Sequence, residues 1–320
     1  MKVSVKVPAT TANLGPGFDC LGLALPIYNE ITVEETVIPN SGIEINIIDE
    51  NDTNDILSIP KDENNIAYKA IELLYNFIGQ TPSDLKITIK TEIPVTRGLG
   101  SSASVIVGGL MAANKLLGSP ADDAVLLSIA SEVEGHPDNV APAMFGGFCL
   151  ASMEDDGSVS CTKLPWPENW KLTVLIPDYE LDTAIARSVL PEKITVKDAA
   201  FNVKKCAMLI DSVYRKDSEM MKKSLKDKIH QPYRADLIKG FTEISELVEN
   251  KDEILGCVVS GAGPTILVIS EGNGFDKIKG DVIQIFKDLN VYCDIKTLDK
   301  YLATGAKVNS GFFSPFGLPK

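Results

Sequence analysis

Histidine is scarce: the 320-residue chain has two, His136 and His230. That excludes a multi-histidine metal centre. Cysteine occurs six times, at positions 20, 149, 161, 206, 257 and 293, and never as a C-x-x-C pair. The thiols read as reduced and mostly buried, not as a disulfide frame or zinc site. No stretch approaches the ~20 apolar residues of a membrane helix. The opening Met1–Val7 alternates like a strand and lacks the apolar core of a signal peptide. The reading is a cytoplasmic protein with no membrane partner. Positive charge is also short, with a net −13. A nucleic-acid partner, which needs a basic footprint, is therefore excluded. Residues 1–165 carry 9 Lys+Arg against 22 Asp+Glu, while residues 166–320 carry 22 of each. An acidic half that holds an anion needs backbone N–H groups, a helix dipole or a metal ion.

The length suits about two domains. The content, 44% hydrophobic and 23% charged, is that of a globular protein. One stretch organises the rest: Pro94, Val95, Thr96, Arg97, Gly98, Leu99, Gly100, Ser101, Ser102, Ala103 and Ser104. A strand over 85–91 runs into it and an apolar helix to about 117 leaves it. Glycines permit sharp bends and close approach to a ligand. Serine is a favoured N-cap, and the first helical turn suits a phosphate. An ordinary capped glycine turn is the plainer reading of such a stretch alone.

Two further glycine-rich loops follow apolar strands. Residues 8–19 hold Thr10, Thr11, Asn13 and Asp19 between two prolines and two glycines, which argues against regular structure there. Residues 260–264, Ser-Gly-Ala-Gly-Pro, form the tip of a hairpin over 254–269. Between them a helix over 122–133 ends in a polar run with Glu132, Glu134, His136, Asp138 and Asn139, then a proline turn. Glu132 and Glu134, two apart, cannot share a helix face. Strands are expected over 2–7, 23–38, 42–48 and 172–177, a polar turn over 49–63 and a helix over 66–77. Thr183 and Arg187 share a face if helical. Helices over 198–214 and 218–229, another to about 248, a helix over 275–288 and a strand over 291–297 complete an α+β pattern. Asp155-Asp-Gly signals a hairpin, and the Pro-rich 164–169 marks a domain boundary, which we place between 165 and 166.

Four segments together carry a resemblance: 8–19, 94–103, 136–142 and 260–265. In order and spacing they are similar to the motifs of the GHMP small-molecule kinases, in their homoserine-kinase form. The resemblance implies a two-domain α+β fold. Its N-terminal ATP-binding α/β domain (1–165) would contain a left-handed βαβ crossover, against the usual handedness. Its C-terminal domain (166–320) would be a ferredoxin-like sandwich. ATP and Mg²⁺ are the implied cofactors and L-homoserine the implied substrate, giving O-phospho-L-homoserine on the way to threonine. A homodimer is also suggested.

Residue by residue, the match assigns 94–104 to the phosphates and, more weakly, Asn65 to adenine. It assigns Ser102 and Glu132 to Mg²⁺, and Asn13, Asp19, His136, Asp138, Thr183, Arg187, Arg234 and Gly261 to the substrate. Arg187 and Arg234 suit its carboxylate and Asp19 its ammonium. Asn13 and Asp138 are the candidate catalytic groups. Thr10 stands where mevalonate- and galactokinase-like relatives carry a Lys or Arg. The hydroxyl proton therefore goes either to Asp138 or directly to the γ-phosphate. Two alternatives stand beside this reading: a kinase of another small alcohol, and a nucleotide-binding sensor without catalysis. His230 reads as structural.

Overall fold

The computed structural model describes residues 1–36, 41–50, 56, 59–82, 84–298 and 302–309. Much of the polar turn expected over 49–63, and the end of the strand expected over 23–38, lie outside the described residues.

The first half runs β1 (Lys2–Ala12), β2 (Leu21–Glu35), β3 (Ile43–Asp49), α1 (Ile66–Phe77) and β4 (Leu85–Thr91). It continues with α2 (Ser101–Leu116), α3 (Asp123–Glu134), α4 (Pro137–Phe145), β5 (Phe148–Met153) and β6 (Val159–Leu164). The second half runs β7 (Trp170–Pro177), α5 (Thr183–Ser188), α6 (Val196–Arg215), α7 (Ser218–Ser224), α8 (Gln231–Arg234) and α9 (Phe241–Val248). The hairpin β8 (Ile254–Val259) and β9 (Ile266–Glu271), then α10 (Lys279–Asp288), β10 (Cys293–Leu298) and β11 (Lys307–Asn309) end it.

Two sheets result. One has seven strands in the order β11-β1-β2-β4-β3, with β5 on β2 and β6 on β5. Within it β3 and β4 pair in parallel, joined through α1 as a βαβ crossover. The other is antiparallel, β10-β7-β9-β8, the pattern of a β-α-β-β-α-β unit. The chain passes between sheets at 165–169, but β11 returns to pair with β1. The division at 165/166 therefore misplaces the last described residues, which belong with the first sheet.

Several local expectations change. Pro8 does not end β1: the strand continues to Ala12, across a register shift between Pro8 and Ala9. Pro8 pairs with Tyr28 and Ala9 with Leu25, so Pro26 and Ile27 fall in a bulge. A bulge is where a sheet tolerates proline. The proline turn after His136 is a helix instead, because Pro137 at its first position gives up only an N–H that would be unpaired anyway. The lysine-rich helix ends at Ser224, and Asp227 caps the next turn by accepting from the backbone N–H groups of Ile229, His230 and Gln231.

Helix α2 is buried on nearly every face, against the first sheet, α1 and α3. That fits its almost continuous apolar sequence. A second core spans both sheets: Leu14, Leu21, Leu23, Ile93, Leu99 and Phe148 pack with Trp170, Leu172, Val174, Leu225, Val258 and Leu267. Full burial of each such Leu, Ile or Val is worth roughly 1.5–3 kcal/mol. Among the described residues no helix is long and apolar enough to cross a membrane, and all six cysteines are free.

Candidate active site

The loop between β4 and α2 enters its helix through Gly100, not through a serine. Gly100 caps α2 at φ 66° with no side-chain capping bond. Ser101 and Ser102 are the first helical residues. Among the described residues no side chain caps the first-turn N–H groups, so they and the helix dipole are open to an anion.

The three glycine loops lie against one another. The Ser260 hydroxyl is 2.6 Å from the Gly98 carbonyl and 2.8 Å from Thr11 Oγ1. A carbonyl only accepts, so the Ser260 hydroxyl donates to Gly98, with Thr11 Oγ1 as a second acceptor within its reach. Asn13 Nδ2 donates to the Gly261 carbonyl at 2.9 Å, and the Gly261 N–H donates to Ala12. The Thr10 N–H donates to the Leu99 carbonyl. The glycines thus serve backbone-to-backbone contact between loops as much as contact with a ligand.

A cleft opens where these loops meet. Its apolar lining comes from Ile59, Ile66, Ile89, Val95, Leu99 and Val105, with Thr91 and Asn65. Thr96, Gly98, Gly100, Ser101 and Ser102 follow, then a polar group: Asn13, Asp19, Glu134, His136, Asp138, Asn139, Thr183, Arg187, Arg234 and Gly261. Residues distant in the chain, from Asn13 to Gly261, therefore line one cleft.

Not every expected residue is there. Arg97 is 5% exposed and does not line the cleft. It donates to the Val95 carbonyl and lies 3.6 Å from Asp178 and 4.0 Å from Glu180, tying the loop to the segment after β7. Pro94 is also outside. Ala103 and Ser104 are buried in α2, where the Ser104 hydroxyl accepts from Asn29 and donates to the Ser101 carbonyl. Asn65 lines the cleft, but its side chain caps α1 and bonds the Pro60 carbonyl.

Glu132 is the main correction. It is exposed and does not line the cleft. Glu134 does, and accepts from the Ser102 hydroxyl at 2.8 Å. The sequence carried the signal: four and seven residues before Glu134 stand Ala130 and Leu127, both buried, so Glu134 shares the inward face of α3. Burial lifts the Glu134 carboxyl above the ordinary carboxylate range, opposed by His136 and by the Ser102 hydrogen bond. A carboxylate and a hydroxyl supply hard oxygens of the kind Mg²⁺ takes together with phosphate and water, and the helix N-terminus beside them suits the phosphate. The residues present fit that ion.

The acidic and basic groups of the polar end are paired. Arg187 forks onto Asp19 through two hydrogen bonds of 2.7 and 3.2 Å. His136 Nδ1 donates to Asp138 Oδ1 at 2.6 Å, and Asn139 Nδ2 donates to the same oxygen at 3.3 Å. Asn139 Oδ1 accepts from Thr10 at 2.7 Å, so Thr10 supports this chain of bonds from behind. Ligand atoms of Asp19, His136 and Asp138 lie within 4.8 Å of one another. That is the reach of an ammonium or hydroxyl donor as well as of a metal. Arg234 is 1% exposed; its Nε donates to Ala186 and its NH1 to the Gly261 carbonyl. Burial and the nearby Arg187 push its guanidinium down to about 10, still charged at neutral pH.

The two histidines are shifted in opposite directions. Burial works against charge on His136, but the hydrogen bond and charge of Asp138, with Glu134, outweigh it and raise the pKa above 6.5. Burial lowers His230 below 6.5, against the pull of Asp227. Stability held by charged His136 should be full below its unfolded value and lost as pH rises through the raised one. Stability held by neutral His230 should be full above 6.5 and lost as pH falls through the depressed value. An NMR titration of the two imidazoles should give midpoints on either side of 6.5; coincident midpoints would contradict this.

The family model of the GHMP kinases N terminal domain matches residues 65–147. A homoserine kinase of Clostridium botulinum is 46% identical over 277 residues, covering 86% of this chain and 89% of its own length. One from Microchaete diplosiphon is 39% identical over 309 residues, covering 97% and 98%. The crystal structure of a homoserine kinase from Cytophaga hutchinsonii superposes with a TM-score of 0.84 at 30% identity, over 96% of this chain and 97% of that one. By matches of this extent the chain belongs to the homoserine kinase family of the GHMP kinases.

Proposed function

We propose that the chain transfers the γ-phosphoryl group of ATP to the side-chain hydroxyl of L-homoserine. One observation carries this reading: an uncapped helix N-terminus, suited to phosphates, opens into the same cleft as two arginines and an aspartate, suited to an amino acid. The nucleotide lies along the loop 95–102, with its base toward Ile59, Ile66 and Val105. Ser102 and Glu134 hold Mg²⁺, which when bound offsets the charge of the phosphates. Arg234 and Arg187 take the substrate carboxylate and Asp19 its ammonium. A zwitterion can replace the Asp19–Arg187 pair group for group, so that neither charge is left without a partner.

Asn13 and His136 hold the reacting end, with Asp138 beside them. The hydrogen bonds to Asp138 fall on Oδ1, which leaves Oδ2 for the substrate hydroxyl. Phosphoryl transfer runs largely on positioning and charge stabilisation. Asp138→Asn should therefore lower kcat only in part, by about 10²-fold or less. Complete inactivity with homoserine affinity intact would instead make Asp138 an obligatory base.

The function is tested by ADP release with Mg²⁺-ATP and L-homoserine, D-homoserine, L-serine, L-threonine or mevalonate at equal concentration. Preference for L-homoserine supports the reading. Preference for mevalonate would remove the assigned pocket, and ATP binding without turnover on any of them would favour a sensor. A cytoplasmic homodimer completes the proposal, with the oligomer to be measured by sedimentation.

A further inference from the structure

We propose that His230 is a positioning residue, a neutral imidazole protonated on Nε2 that fixes Arg234 for the substrate carboxylate. The inference rests on the role given to Arg234 above. His230 is fully buried and does not line the cleft. Its Nε2 is 2.7 Å from the Gly15 carbonyl and its Nδ1 is 3.3 Å from Arg234 NH1. A carbonyl only accepts, so Nε2 carries the hydrogen. A guanidinium only donates, so Nδ1 presents a lone pair. Only the neutral Nε2–H form satisfies both. An imidazolium would turn a second N–H toward Arg234, and the other tautomer would lose both bonds.

The ring is held from every side. Its backbone N–H donates to Asp227 Oδ2 at 2.8 Å, and Asp227 Oδ1 accepts from Asn202 and Ile229. Its face stacks on Phe18 with centroids 5.1 Å apart and planes 26° apart. Phe18 in turn lies 5.5 Å from both the Arg187 and Arg234 guanidinium carbons. The charged groups facing His230 are Asp227, Arg234 and Asp19. His230 thus links the first glycine loop to Arg234. With Nε on Ala186, and NH1 shared between Gly261 and His230, the guanidinium has one fixed orientation and keeps NH2 for a ligand.

The test compares His230→Leu, which makes neither bond, with His230→Gln, which donates and accepts. Each is assayed with L-homoserine and with 3-aminopropan-1-ol, an acceptor alcohol lacking the carboxylate, alongside the KM for ATP and the Tm. His230→Leu should lower kcat/KM for L-homoserine by roughly ten- to hundredfold. It should leave 3-aminopropan-1-ol and ATP within about twofold, because neither meets Arg234. His230→Gln should recover most of the loss. Equal losses on both acceptors, following the fall in Tm, would overturn the proposal, as would no loss on either. ¹⁵N spectra of the unmodified protein give a reading that needs no variant and no turnover. A neutral Nε2–H imidazole for His230 supports the proposal, and an imidazolium or Nδ1–H form overturns it. If the unmodified protein turns over other alcohols but not L-homoserine, the assigned reaction fails, and the spectra still decide the state of His230.

Discussion

Glu134→Gln should remove nearly all Mg²⁺-supported turnover, a fall of about 10²–10³-fold in kcat, while Glu132→Gln should run close to the parental rate. The two side chains are two residues apart in α3 and opposite in fate. Glu134 faces the Ser102 hydroxyl at the mouth of α2, and Glu132 faces solvent. Glutamine keeps the shape of Glu134 and can still accept from Ser102, so the fold should survive. It should even be somewhat more stable in the absence of metal, since burial disfavours the charged carboxyl. The expected signature is therefore lost activity with an unchanged or higher Tm, and loss of the Mg²⁺-induced rise in Tm. A Mg²⁺ titration of kcat for both variants decides it. A crippled Glu132→Gln beside an active Glu134→Gln would return the metal to the exposed carboxylate and refute the corrected site.

Gly100→Ala should be comparably damaging, by a different route. A β-carbon at Gly100 would land on the Thr10 hydroxyl, which donates to Asn139 next to Asp138. The left-handed φ of 66° adds strain for any residue with a β-carbon. Together they should lower stability by about 2–4 kcal/mol and kcat/KM for ATP by roughly 10²-fold. Gly118→Ala is the matched control. Gly118 also has a positive φ, at 83°, but nothing lies within 4 Å of its would-be β-carbon. It should cost about 1 kcal/mol with no change in kcat/KM. Calorimetry and steady-state kinetics on both variants separate strain from collision. Equal effects would mean that the crowding at Thr10 is relieved without consequence.

Much of this molecule was legible in its sequence because its signals are local. The glycine loops, the strand entering 94–100 and the hairpin at 155–157 are written in adjacent residues. The cleft-lining positions Ser101, Ser102 and Asp138 lie in motifs of that local kind. What was missed depends on geometry that a motif does not carry. Glu134, and not Glu132, follows the helical period that the buried Leu127 and Ala130 set. Reading Pro137 as a turn overlooked that proline opens a helix as readily as it closes one. Pro8 looks like a strand end in sequence because the bulge that accommodates it is formed jointly with Pro26. The Asp19–Arg187 pair joins residues 168 apart. The return of β11 to β1 likewise joins the two ends of the described chain, and no window along the sequence contains either contact.

The apolar core that runs from Leu14 and Phe148 through to Trp170 and Leu267 has a consequence for how the molecule comes apart. Topology draws a border between two sheets, but no solvent layer follows that border. Severing the chain at 165–169 would leave each fragment with an uncovered greasy face and part the loop at 260–261 from Asn13 and Gly98. The two halves should therefore melt in one step, as a single cooperative unit, and co-expressed fragments should find each other where lone fragments aggregate. What looks like two modules on paper is, in energy, one.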